Sequence, residues 1–68
     1  MTDTLKLRRR IEASGLKYKA IAQKLGITAY TLQLKIDNDN EFKVSEVEAL
    51  SALLGLTLRE KDAIFFAK

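Results

Sequence analysis

Residues 17–36 read KYKAIAQKLGITAYTLQLKI, and this stretch constrains the fold more than any other part of the chain. It holds two short helical patterns joined at Leu25-Gly26-Ile27-Thr28. The first pattern sets Ala20, Ile21 and Leu25 at helical spacing. The second sets Ala29, Leu32 and Ile36 at i, i+3 and i+7, a single apolar stripe. Gly26 stands just past the first pattern, where a helix ends in a left-handed residue that only glycine adopts freely. Thr28 then offers a hydroxyl as N-cap of the second. The spacing predicts a helix from residue 17 or 18 to 25, a tight turn, and a helix over 29–36. A connection this short makes the two helices cross steeply.

The remaining pattern is helical too. The chain has 68 residues, three glycines and no proline. That scarcity of breakers predicts one all-α domain over residues 1–68, a small five-helix bundle with tight connections. A first helix is expected over 2–14, capped by Thr2, Asp3 or Thr4, with Leu7, Ile11 and Ser14 on one face, Leu5 beside them and Gly15 as stop. A fourth is expected from a capping box at Ser45-Glu46-Val47-Glu48, with apolar groups at 44, 47, 50 and 54 and Gly55 as stop. Phe42 precedes it as a core plug. A fifth opens on a second box, Thr57 to Glu60, and carries Leu58, Ile64 and Phe65 or Phe66. A chain this short buries roughly 60% of the surface its unfolded form exposes, so its stability is small and association can add to it.

Composition removes several functions. There is no cysteine and no histidine. Disulfides, thiolate zinc sites, a cysteine nucleophile and a histidine base are therefore excluded. The acidic groups fall on caps and loops, so an enzyme is not expected, nor a cofactor, a metal site or a small-molecule substrate. No apolar run approaches membrane length and no signal peptide heads the chain, which predicts a cytoplasmic protein without a membrane partner.

Charge is distributed unevenly. Residues 1–36 hold eight Lys or Arg against two acidic groups, a net +6, whereas residues 37–68 hold four against seven, a net −3. One end of the molecule is thus suited to a polyanion. The densest basic run is Arg8-Arg9-Arg10. Three consecutive residues fan around a helix, so they cannot all meet one ligand.

The central stretch resembles the helix-turn-helix of the phage repressor and Cro group of DNA-binding proteins. Small Ala22, turn Gly26, apolar Ile21, Leu25, Ile27 and Leu32, and the cap Thr28 carry the likeness. Gly15-Leu16 fits the lead-in, and residues 53–66 are similar to the tail of small phage-encoded members. The resemblance implies a lambda repressor-like fold and a double-stranded DNA operator as partner, bound by a homodimer. It implies that the start of the second helix sits against a phosphate. Two departures stand there: Lys17 replaces the usual Ser or Thr, and Tyr18 the usual Gln.

These readings name the candidate residues. Base contacts are expected from Thr28, Ala29, Tyr30, Gln33 and Leu34 at the outer, N-terminal face of the third helix. Gln33 can bond adenine with both ends of its amide, while Leu34, Ala29 and the Thr28 methyl can meet thymine methyl groups. Phosphate contacts are expected from Lys17, Tyr18, Lys19, Thr31, Lys35 and Asn38. Phe65 and Phe66 are the candidate dimer contact. The acidic loop Asp37-Asn38-Asp39-Asn40-Glu41 would repel a phosphate, and no Arg lies on the third helix. Both features favour a second reading, a module on the same fold that binds another repressor protein.

Overall fold

The computed structural model describes residues 1–67. Its architecture is all-α: α1 Thr4–Ser14, α2 Tyr18–Leu25, α3 Ala29–Ile36, α4 Val44–Leu54 and α5 Leu58–Phe65, with no strand among the described residues. Each glycine stop works as its position predicts. Gly15, Gly26 and Gly55 all take left-handed geometry just past α1, α2 and α4. At the central turn, the Ile27 N–H donates to the Ala22 carbonyl at 3.0 Å, closing the last turn of α2 before the chain redirects.

One core joins all five helices. It is built from Leu7 and Ile11 of α1, Ile21 and Ala22 of α2, Leu32 and Ile36 of α3, Val47, Leu50 and Leu54 of α4, and Ile64 and Phe65 of α5. Helix α2 packs against α3 and α4, while α1 spans the other side against α3, α4 and α5. Phe42 packs on this core from the α3–α4 loop. Its ring meets Phe65 edge-on, with centroids 5.4 Å apart and planes at 83°, a favoured aromatic geometry.

The chain before α1 is a strap across the bundle. The Asp3 N–H donates to the Ile64 carbonyl at 2.6 Å, and the Thr4 hydroxyl donates to the Ile36 carbonyl at 2.5 Å. The end of α3 and the end of α5 are therefore tied to one short segment. Asp3 also caps α1, its Oδ1 accepting the Lys6 N–H at 3.1 Å.

Several expected positions move. Helix α1 starts at Thr4, not residue 2, because residues 2 and 3 are used in the strap. Ala29, read as inward, is exposed. Its short side chain leans back over the turn, and Leu32 already fills the buried space. Leu5, Ser14, Val44 and Leu58 are exposed as well. Val44 and Leu58 are the first residues of their helices, ahead of the first buried apolar groups, Val47 and Ile64. The cap of helix α4 lies two residues before the expected Ser45, and the helix begins at Val44. Lys43 takes the cap position and has no acceptor to offer, so the carboxylate of Glu46 alone closes this end, accepting the Lys43 N–H at 2.8 Å. The box on α5 forms as expected, with Thr57 and Glu60 each accepting the other's backbone N–H.

Candidate nucleic-acid interface

The turn joins the end of α2 to the start of α3, and the starts of these two helices are finished differently. At α3, Thr28 Oγ1 accepts the Thr31 N–H at 3.1 Å and also bonds the Thr31 hydroxyl at 2.9 Å. Both hydroxyls are therefore engaged with each other. At α2, Lys17 holds the cap position and no side chain caps the helix, as expected from a residue without an acceptor. The first amides of α2 keep their donors, and the positive end of its dipole lies open to solvent. Lys17 and Lys19 beside them are exposed. Among the described residues neither makes an ion pair.

The outer face of α3 follows its helical period. Leu32 and Ile36 are fully buried, and Tyr30 is 73% exposed. Thr28 and Ala29 are exposed beside Tyr30, whereas Thr31, Gln33 and Leu34 are half-buried. Tyr30 thus stands proud at the start of the helix, with Gln33 and Leu34 lower on its flank. Tyr18 is half-buried against the core, leaving only part of its ring at the surface.

Two expected phosphate contacts are spent inside the molecule. Lys35 is buried, 6% exposed, and its Nζ donates to Glu46 Oε1 at 2.5 Å. It joins α3 to α4 and leaves the contact set. Burial alone would raise the Glu46 carboxyl, but hydrogen bonds from Lys35 and the Lys43 N–H, with the charges of both lysines, outweigh it and hold the carboxyl below its ordinary range. Asn38 is the second. It takes a left-handed φ of 66°, and its side-chain amide clasps residue 2. Its Oδ1 accepts the Thr2 N–H at 2.9 Å and its Nδ2 donates to the Thr2 carbonyl at 2.7 Å.

The arginine run fans as predicted. Arg8 Nη2 donates to Asp37 Oδ1 at 2.5 Å, so one acid of the loop is neutralised. That hydrogen bond raises the Arg8 guanidinium further, against a small cost of burial. Arg10 turns the other way, donating to the Leu54 carbonyl at 3.0 Å and facing Glu60 at 3.6 Å. Arg9 is exposed between them. The expected aromatic pair also divides. Phe65 is 5% exposed and belongs to the core of its own chain, so it drops out as a dimer contact. Phe66 is 60% exposed beside Val44 and Leu58, on the rim of a groove of about 210 Å³ between α4 and α5.

Sequence reasoning missed Glu46 as the group that holds α3. The signal was present as a carboxylate three residues past the loop, where it reads equally well as a cap. No family model, curated protein or solved structure matches this chain.

Proposed function

We propose that the protein is a sequence-specific double-stranded DNA-binding regulator, a Cro-type repressor of phage or prophage origin that acts as a dimer on an operator. One observation carries this reading. The start of α3 exposes Thr28, Ala29 and Tyr30, and the start of the preceding helix α2 is uncapped and flanked by exposed Lys17 and Lys19. A helix start with exposed side chains suits the major groove, and free amides with Lys17 and Lys19 suit a phosphate on its edge. In this reading Tyr30, Gln33 and Leu34 read bases, and Thr28 and Thr31, bonded to each other, hold the first turn that presents them. The exposed Val44, Leu58 and Phe66 form the face that a second copy covers. Two copies set α3 in successive major grooves about 34 Å apart on a palindromic site.

Binding to a duplex across a range of salt tests it. Counterion release gives a log–log slope of about −0.9 for each phosphate neutralised. A steep negative slope supports the reading, and a flat one contradicts it.

A second reading is favoured by the removal of Lys35 from the surface. The outer face of α3, from Thr28 to Leu34, then carries no charge at all, with Tyr30 and Leu34 among its groups. Such a face suits a protein surface, as in a modulator that binds another repressor. Gln33→Ala separates the two, because a DNA reader loses sequence preference and a protein-binding face barely responds.

A further inference from the structure

A second groove lies between α1 and α5, on elements that carry none of the residues assigned to DNA. It has a volume of about 350 Å³, and its walls are Lys6, Arg9 and Arg10 from α1 and Arg59, Glu60, Ala63 and Ile64 from α5. Around α1, Lys6, Arg9 and Arg10 follow one another on the side turned away from Arg8, which points toward the end of α3.

The cations here differ in state. Arg10 is fixed by the Leu54 carbonyl and by Glu60, the one acid in the wall among the described residues. Lys6, Arg9 and Arg59 are exposed, and among the described residues none makes an ion pair. Three unpaired cations and one held in place therefore surround a floor of half-buried Ala63, with the core residue Ile64 beneath it. Long basic side chains lay their methylene stems along such a floor and keep their charged heads at its edge. The result is an apolar trough with a positive rim.

We propose that this groove docks an acidic amphipathic helical segment of a partner protein. An apolar ridge at i, i+3 and i+7 fits the floor, and carboxylates flanking the ridge meet Lys6, Arg9 and Arg59. A nucleic-acid backbone would satisfy the cations but gains nothing from the apolar floor. The chain's own acidic loop, residues 37–41, has no apolar ridge to offer. The groove thus gives the molecule a partner-binding face separate from α2 and α3, and it stands whether or not those helices bind DNA.

The test uses the whole chain, isotope-labelled for amide NMR, and three defined probes: an amphipathic helical peptide with a leucine ridge and glutamate flanks, the same peptide with lysine flanks, and a random duplex. The glutamate-flanked peptide is expected to shift the amides of Arg9, Arg10, Arg59 and Ala63, and the lysine-flanked one is not. Arg9→Glu with Arg59→Glu is expected to weaken binding at least about tenfold through like-charge repulsion. Both residues are exposed, so circular dichroism should match the parent. Arg59→Glu alone serves as the second variant, since a carboxylate in the first turn of α5 suits the helix dipole. Four results would overturn the proposal: no shift at millimolar glutamate-flanked peptide, an equal response to both peptides, shifts clustered at Val44, Leu58 and Phe66, and groove amides that move with duplex alone.

Discussion

Lys35 and Glu46 form a buried ion pair between α3 and α4, Nζ to Oε1 at 2.5 Å, with side chains 8% and 7% exposed. The same carboxylate oxygen accepts the Lys43 N–H and so closes the start of α4. One residue therefore both finishes one helix and holds another. Buried pairs are costly to desolvate, and their worth lies in the penalty for breaking them and in the arrangement they enforce. Here the arrangement is the link between the end of α3 and the start of α4.

Removing one partner is expected to be severe. Glu46→Ala leaves the Lys35 ammonium buried and unpaired, and should lower unfolding free energy by about 3 kcal/mol. Lys35→Met with Glu46→Gln should recover most of it, because the Gln oxygen still accepts the Lys43 N–H and no charge stays buried. Urea denaturation of the three proteins checks this. A double variant as unstable as Glu46→Ala would remove the pair from the account.

The pair also sets a pH dependence. The Glu46 carboxyl titrates below its ordinary value near 4.5. A depressed carboxyl contributes stability that is complete above that ordinary value and is lost as pH falls through the folded one. Glu60 acts in the same direction, lowered first by the Thr57 backbone hydrogen bond and then, against a desolvation cost, by the charge of Arg10. Thermal midpoints should fall as pH drops below about 4.5, with a shallower fall in Glu46→Gln. An unchanged profile in that variant would contradict the assignment.

The turn was legible in the sequence because everything that makes it is local. Gly26 supplies its left-handed residue, Thr28 bonds a backbone N–H three residues on, and α3 spans the predicted residues. Lys35 was misread although its angular position was available. It lies about 60° from Leu32 around the helix and about 100° from Leu34, nearer the buried stripe than the outer face. A lysine there needs a buried acid, and Glu46 becomes its partner only once α4 is docked. Asn38 is a stronger case, since its amide is satisfied by Thr2 across 36 positions of sequence. No local pattern encodes that clasp. Likewise nothing in the Phe65-Phe66 pair says which ring turns inward until Phe42 stands opposite Phe65.

The two phenylalanines should separate stability from association. Phe65→Ala is expected to cost about 3–5 kcal/mol, the range for an aromatic ring lost from a core. Phe66→Ala should leave monomer stability nearly unchanged and shift a concentration-dependent sedimentation profile toward the monomer. If Phe66→Ala sediments as the parent does at every concentration, the α4–α5 face is not where a second copy sits.

Charge at the α2 start should be visible in salt dependence. Lys17→Ala and Lys19→Ala should each reduce the steepness of the log–log slope by about 1, uniformly across DNA sequences. Lys35→Met with Glu46→Gln should leave the slope unchanged, because the Lys35 charge is held by Glu46 inside the molecule. A slope in that double variant that falls as much as in Lys17→Ala would return Lys35 to the surface.

Base reading is tested most sharply at Gln33. A bidentate amide contact discriminates against the wrong base by about 1–3 kcal/mol. Gln33→Ala should lose that preference at one position of each half-site while its salt slope stays the same.

The most direct measurement is selection from a pool of random duplexes, followed by sequencing of the retained fraction at several salt concentrations. An operator-binding dimer predicts an enriched two-fold site, its halves one helical turn apart, with retention falling steeply as salt rises. Weak retention without an enriched sequence would contradict the central claim and assign the exposed face of α3 to a protein partner.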